Sequence, residues 1–206
     1  MIARAWTLSL VLLACCAPHS PTNEAVSPDP TPTVEVGVTA VPDYNRNEWG
    51  RWRDDDHDCQ DTRQEVLIAE SLEAVTLTED GCKVLLGRWL CPLTGVTFTD
   101  PRVLDIDHMV PLRAAHDAGG HAWDRDRKRA YYNNQDYPNH LIAVDRSANR
   151  SKGSRSPQEW MPTNKAYHCE YLRSWVTIKK SWRLSMTCPD EATEIAQMMA
   201  ESCGAP

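Results

Sequence analysis

The stretch "DIDHMVPL", residues 105–112, sets a carboxylate beside an imidazole in what reads as a β-strand, with Pro111 close behind. Neighbours on a strand project to opposite faces. Asp107 and His108 are therefore either an unrelated pair or two parts of a site that uses both sides of one backbone. Further along, "NHLIAV" (139–144) reads as a buried strand, and "SANRSKG" (147–153) as a turn or two of helix with a serine cap and a glycine stop. Strand, strand and helix make a compact unit with Asp107, Asn139 and Asn149 at its joints. Magnesium takes hard oxygen ligands and keeps several waters, so one carboxylate and one amide oxygen suffice beside a phosphate. A histidine titrating near neutrality suits proton removal from water. Hydrolysis of a phosphodiester needs these parts: an activated water, a cation for the developing charge, and basic groups to hold the backbone.

The rest of the chain supplies a scaffold. "DTRQEVLIAESL" (61–72) suits a helix, although its apolar centre also suits a strand. "CKVLLGRWLC" (82–91) and "VTFT" (96–99) read as strands around the turn "PLTG". "PLRAAHDA" (111–118) opens with proline, as a first helical turn does, and "WDRDRKRAYYN" (123–133) is a second short helix. "NKAYHCEYLRSWVTIKKSW" (164–182) carries aromatic and apolar residues at helical spacing, and "PDEATEIAQMMAESC" (189–203) is a last helix with an acidic start. Trp160, Trp175 and Trp182 are read as core, and His116, His121 and His140 as structural.

The chain has 206 residues and a formal charge of −7, which speaks against binding nucleic acid by bulk charge. The charge is unevenly spread: residues 24–80 hold 15 acidic and four basic side chains, whereas residues 125–155 hold eight basic and three acidic. Arg4 followed by "AWTLSLVLLA" reads as an export leader too short to span a bilayer. "LLAC" (12–15) has the form of a lipobox with Cys15 as the lipidated residue; plain signal cleavage and free secretion is the alternative. The expected layout is a leader and lipobox over 1–15, a tether over 16–42 with its six prolines concentrated in 17–42, and one folded domain over 43–206. Six cysteines remain for the oxidising exterior: Cys59, Cys82, Cys91, Cys169, Cys188 and Cys203. The sequence does not choose among their pairings. The expected set is Cys59–Cys82 around the first strands and Cys169–Cys203 between the last two helices, which leaves Cys91–Cys188.

Taken together, "CQDTRQEVL", "GRWLCPLTG", "FTDPRVLDIDHMVPL", Asn139 with "ANRSKG", "PQEWMPTNKAYHCEYLRSW" and the terminal cysteine resemble secreted bacterial HNH (ββα-metal) endonucleases related to the C-terminal nuclease domain of GmrSD restriction enzymes. The resemblance runs over roughly residues 43–203. It implies an α+β fold: a ββα-metal core elaborated with extra helices and stapled by disulfides. It implies His108 as general base, Asp107 and Asn149 as ligands of one Mg²⁺ or Mn²⁺, and Asn139 as the motif's middle residue, bracing the loop and orienting the base. Arg150 and Lys152 are implied phosphate contacts, and Arg63 of the "DTR" element is a third, unless it serves a salt bridge. The sequence has no second motif histidine; Asn149 stands in its place.

One further stretch has metal-ligand spacing. Asp54, Asp56 and Asp58 stand two apart and Glu65 falls at the twelfth position, as in a calcium loop. The sixth position, where glycine is expected, is Cys59. The leading expectation is an exported, metal-dependent endonuclease acting on DNA, with RNA as the other substrate. The rivals are a surface lipoprotein that binds extracellular nucleic acid without cleaving it, and a calcium-dependent structural module. The membrane enters only through a lipid anchor.

Overall fold

A computed structural model describes residues 40–186 and 190–204. The leader, Cys15, most of the tether and Cys188 lie outside the described residues. The described chain is α+β, with three two-stranded antiparallel sheets and six helices of six residues or more. In order these are α1 (Thr62–Ala69), β1 (Thr76–Leu77), β2 (Val84–Leu86), β3 (Trp89–Leu90), β4 (Thr97–Phe98), β5 (Leu104–His108), α2 (Leu112–Asp117), α3 (Arg125–Tyr132), β6 (Leu141–Asp145), α4 (Arg146–Lys152), α5 (His168–Trp182) and α6 (Glu191–Cys203).

The central ladder pairs β5 with β6, from Leu104 opposite Asp145 to His108 opposite Leu141. Period-two alternation gives this ribbon two different faces. Leu104, Ile106, Leu141 and Ala143 pack with Val66 and Leu67 of α1 and with Val84 and Trp89. Ile142 and Val144 face the other way, into a larger core with Ala148 of α4 and Tyr171, Leu172, Trp175 and Ile178 of α5. Asp105 and Asp107 share that second face by the same alternation. The ribbon is thus buried on both sides, which explains why "LIAV" reads as a continuous apolar run.

Local chemistry sets the element ends. Asp61 accepts from Gln64 N and starts α1, settling the helix–strand ambiguity of that segment. Asp145, the last residue of β6, accepts from Ala148 N and starts α4 directly. The cap is therefore this carboxylate and not Ser147, and strand passes into helix without a loop. Pro111 sits one place before its helix, as the cap residue. Gly120 is required by close approach: a Cβ there would lie 2.6 Å from the Ala115 carbonyl oxygen and 2.9 Å from the Trp49 ring.

Disulfides Cys59–Cys82 and Cys169–Cys203 are present. Cys91 is a buried thiol with no disulfide partner among the described residues, and its sulfur accepts from Asp145 N; Cys188, its expected partner, lies outside them. A small thiol here packs in the core beneath the β6–α4 junction.

Candidate active site

Helix α4 lies along the Asp105/Asp107 face of the ribbon. Residues three apart on a helix rise about 4.5 Å and residues two apart on a strand about 6.7 Å, so one side of the helix can serve both aspartates. Asn149 Nδ2 donates to Asp105 Oδ2 at 3.2 Å, and Arg146 Nε lies 3.4 Å from Asp105 Oδ1. One turn on, Lys152 Nζ donates to Asp107 Oδ2 at 2.8 Å and to the His108 carbonyl at 2.9 Å. Lys152 is fully buried and Asp107 is 6% exposed. Burial pushes the Asp107 carboxyl above its ordinary range, and the Lys152 ammonium pulls it back down.

His108 looks the other way. Its ring is near-parallel to Trp52 at 5.7 Å and to Tyr131 at 6.0 Å, with Tyr132 edge-on at 5.0 Å. It is only 6% exposed. Burial, with a smaller push from His140, holds its pKa well below the ordinary histidine range, so the ring is neutral across physiological pH. Because a carbonyl only accepts, the 2.9 Å contact between Nε2 and the Tyr132 carbonyl fixes the proton on Nε2. Nδ1 is left as a lone pair. It takes no bond from any described residue.

Asp107 and Asn149 thus lie on the same face of the ribbon, Asp107 bonded to Lys152 and Asn149 to Asp105, and His108 stands at the same strand end on the opposite face. Two expectations need correcting. A histidine titrating near neutrality is replaced by one kept neutral by aromatic packing. Lys152 is too deeply buried to touch a phosphate and instead serves Asp107. Arg63 is also spoken for: its Nη2 donates to the carbonyls of Pro101 and Leu104 at 3.0 Å each, clamping the start of β5 to α1. Arg150 is exposed on α4 and lines a shallow groove of about 310 Å³ with Val103, Asp145, Arg146 and Ser147. Asn139 has φ +59 and bonds through Nδ2 to Glu170 and Ser174 of α5. It braces the corner before β6, and its side-chain bonds go to α5 rather than to the His108 ring.

The sequence reading assigned no role to Asp105, Arg146, Arg46, Trp52 or Tyr132. Asp105 was legible from its spacing two before Asp107, and Arg146 from standing three before Asn149. Arg46 is exposed, donates to the Tyr132 hydroxyl and adds positive charge near His108, and nothing in the local pattern announces it.

Among the described residues, the one group of three acidic, histidine or cysteine side chains with converging ligand atoms is Asp54, Asp56 and Asp58, all within 4.8 Å. Cys59, at the sixth position of that loop, adopts φ +74, the left-handed conformation for which glycine is usual. Glu65 instead accepts from Gln135, and neighbouring acidic groups raise its pKa after burial does.

A two-stranded ribbon running straight into a helix, with Asp-His at the strand end and asparagine on the helix, is the arrangement of an HNH-type nuclease core. The chain belongs to the family of GmrSD restriction endonucleases, C-terminal domain, whose model matches residues 46–191. It is also similar to a protein from Arthroderma benhamiae described as an uncharacterized secreted protein, 30% identical over 189 residues, covering 89% of this chain and 91% of that one. No solved structure matches. Among the described residues no helix is long and apolar enough to cross a membrane.

Proposed function

We propose that this chain is an exported, metal-dependent endonuclease that hydrolyses phosphodiester bonds of DNA, with His108 as the general base. The observation that carries the reading is the fixed tautomer of His108: a neutral ring whose Nε2–H is held by the Tyr132 carbonyl and whose Nδ1 lone pair takes no bond from the described residues. That is the form in which an imidazole takes a proton from water.

A divalent ion is implied by the family, and the donor chemistry fits one. Asp107 Oδ1 and Asn149 Oδ1 take no bond from the described residues, and Asp105 adds a second carboxylate beside them. All are hard oxygen donors, as Mg²⁺ or Mn²⁺ requires. Asp107 and Asn149 would hold the ion, and it would supply Lewis-acid stabilisation of charge on the leaving oxygen. The protein groups do the rest. His108 Nδ1 accepts the proton of the attacking water, and the Tyr132 carbonyl stabilises the imidazolium so formed. Arg46 on the His108 side and Arg150 on the α4 side hold the phosphate backbone, and Arg63 keeps β5 in place. Such contacts grip phosphate and leave base choice open, so RNA is the second substrate to assay. The relative's description as secreted supports export, and Cys15 is the proposed lipid-bearing residue if the mature protein stays at the envelope.

The test is conversion of supercoiled plasmid to nicked and linear forms by the mature protein, with Mg²⁺, Mn²⁺ or EDTA. Metal-dependent cleavage leaving 5′ phosphates is expected. Retention of the plasmid without cleavage under every metal would favour the binding-only alternative.

A second reading is supported by the convergent carboxylates of Asp54, Asp56 and Asp58 together with the left-handed Cys59: a calcium-dependent structural loop. Calorimetric titration with Ca²⁺ should give a binding heat that Asp56→Ala abolishes; equal heats in both proteins would remove this reading.

A further inference from the structure

We propose that Lys152 is a built-in cation competing with the divalent ion for Asp107, and that it thereby sets how tightly the site takes its metal. The inference rests on the reading of Asp107 as a metal ligand. A lysine is rarely buried whole unless it is paired, and Lys152 has no exposed surface at all. Its ammonium sits 2.8 Å from Asp107 Oδ2 and 2.9 Å from the His108 carbonyl oxygen. Two oxygens next to each other on the chain, one charged and one a carbonyl, are the kind of pair that coordinates a cation.

The neighbouring charges point the same way. Asp107 is paired with Lys152, and Asp105 with Arg146, with the Arg63 charge also near Asp105. A divalent ion arriving at this face finds both carboxylates already answered by cations. Only Asp107 Oδ1 remains for it on that carboxylate, with a buried positive charge on the neighbouring oxygen. Inside a protein such repulsion is weakly screened. The site as built binds its metal weakly, and removing the charge of residue 152 leaves one unanswered carboxylate for the ion. A purely structural lysine makes a different prediction: its loss would lower stability and leave metal affinity where it was.

The measurement is Mn²⁺ binding to the mature chain, followed by the loss of the free-ion EPR signal, in an Asp56→Asn background that silences the acidic loop. Lys152→Gln keeps a hydrogen-bond donor and removes the charge; Lys152→Met removes both. The expected result is a Kd for Mn²⁺ at least tenfold lower in both variants, a larger Mn²⁺-induced rise in Tm than in the parent, and loss of binding on adding Asp107→Asn. A Kd within twofold of the parent, or a higher one, overturns the role of Lys152 and leaves the nuclease reading standing. Binding that Asp107→Asn does not alter overturns both. Should the variants be unfolded without metal, circular dichroism decides: folding restored by Mn²⁺ supports the proposal, and no restoration overturns it.

Discussion

His108 and His140 are both neutral in the fold, and both donate Nε2–H to a main-chain carbonyl of α3. They differ in burial: His140 is fully buried, with its Nδ1 enclosed, whereas His108 keeps 6% of its surface exposed. The motif singled out His108, but sequence could not have supplied the protonation state, because the Trp52 and Tyr131 rings packed against it come from distant segments. With the pKa of His108 held well below 6.5 by burial, its protonation does not limit the reaction near that pH. The expected kcat/KM profile stays flat as pH falls from 8 to 6; an acid limb centred near 6.5 that Tyr131→Phe or Trp52→Ala leaves unmoved would contradict this environment.

Two other buried groups set opposing pH slopes on stability. Burial lowers the pKa of His140 from 6.5 to about 4. Its stabilising contribution, about 3 kcal/mol, is complete above 6.5 and is lost as pH falls to 4. Burial raises that of Glu70 from 4.5 to about 7, outweighing the bond its carboxylate accepts from Ala143 N. Its contribution is complete below 4.5 and is lost as pH rises through 7. The slopes largely cancel in the wild type. Glu70→Gln should therefore raise stability at pH 8 by about 1–3 kcal/mol and make Tm climb steeply from pH 4 to 6.5, the window of His140. Parallel Tm curves for the two proteins would rule this out.

At the scale of the element, the strand–strand–helix unit was legible because its pattern is local: an alternating strand, an apolar strand and a glycine-stopped helix. The alternation also announced that Asp107 and His108 face apart. The partners of the basic residues were not legible. Lys152 and Arg150 are two apart on a short helix, so one turns into the core and the other to solvent, and only the packing of α4 on β5 decides which. Arg63 is a similar case: the "DTR" stretch shows a charge, while the two carbonyls it clamps belong to the entry of β5. Replacing it with methionine should cost about 2–3 kcal/mol, the usual loss for charge-assisted bonds to carbonyls that burial then leaves unmet. Denaturant titration checks this, and a loss under 0.5 kcal/mol would mean that Arg63 is free for phosphate after all.

Across the molecule, the two bridges tie the periphery to the core. Cys169–Cys203 fastens α6 to the first turn of α5 across a separation of 34 residues, and Cys59–Cys82 fastens the acidic loop across 23. Closing loops of these lengths restricts the unfolded chain by about 3–4 kcal/mol each. The sequence left the pairings open, and these two match the expectation of one bridge around the first strands and one between the last two helices. The even cysteine count invited a third bridge through Cys91; among the described residues this sulfur lies under a strand–helix junction without a disulfide partner, and Cys188 is outside them. Cys169→Ser/Cys203→Ser should lower stability by about 3 kcal/mol and leave metal-dependent cleavage at 25 °C within twofold. Complete loss of cleavage in a folded double variant would show that α6 shapes the site.

The most direct test of the account compares plasmid cleavage in Mg²⁺ by wild type, His108→Ala and His140→Ala, each first shown to be folded by circular dichroism. Loss of two orders of magnitude or more in His108→Ala, with far less in His140→Ala, is the predicted result. Cleavage by His108→Ala at the wild-type rate would contradict the assignment of the base.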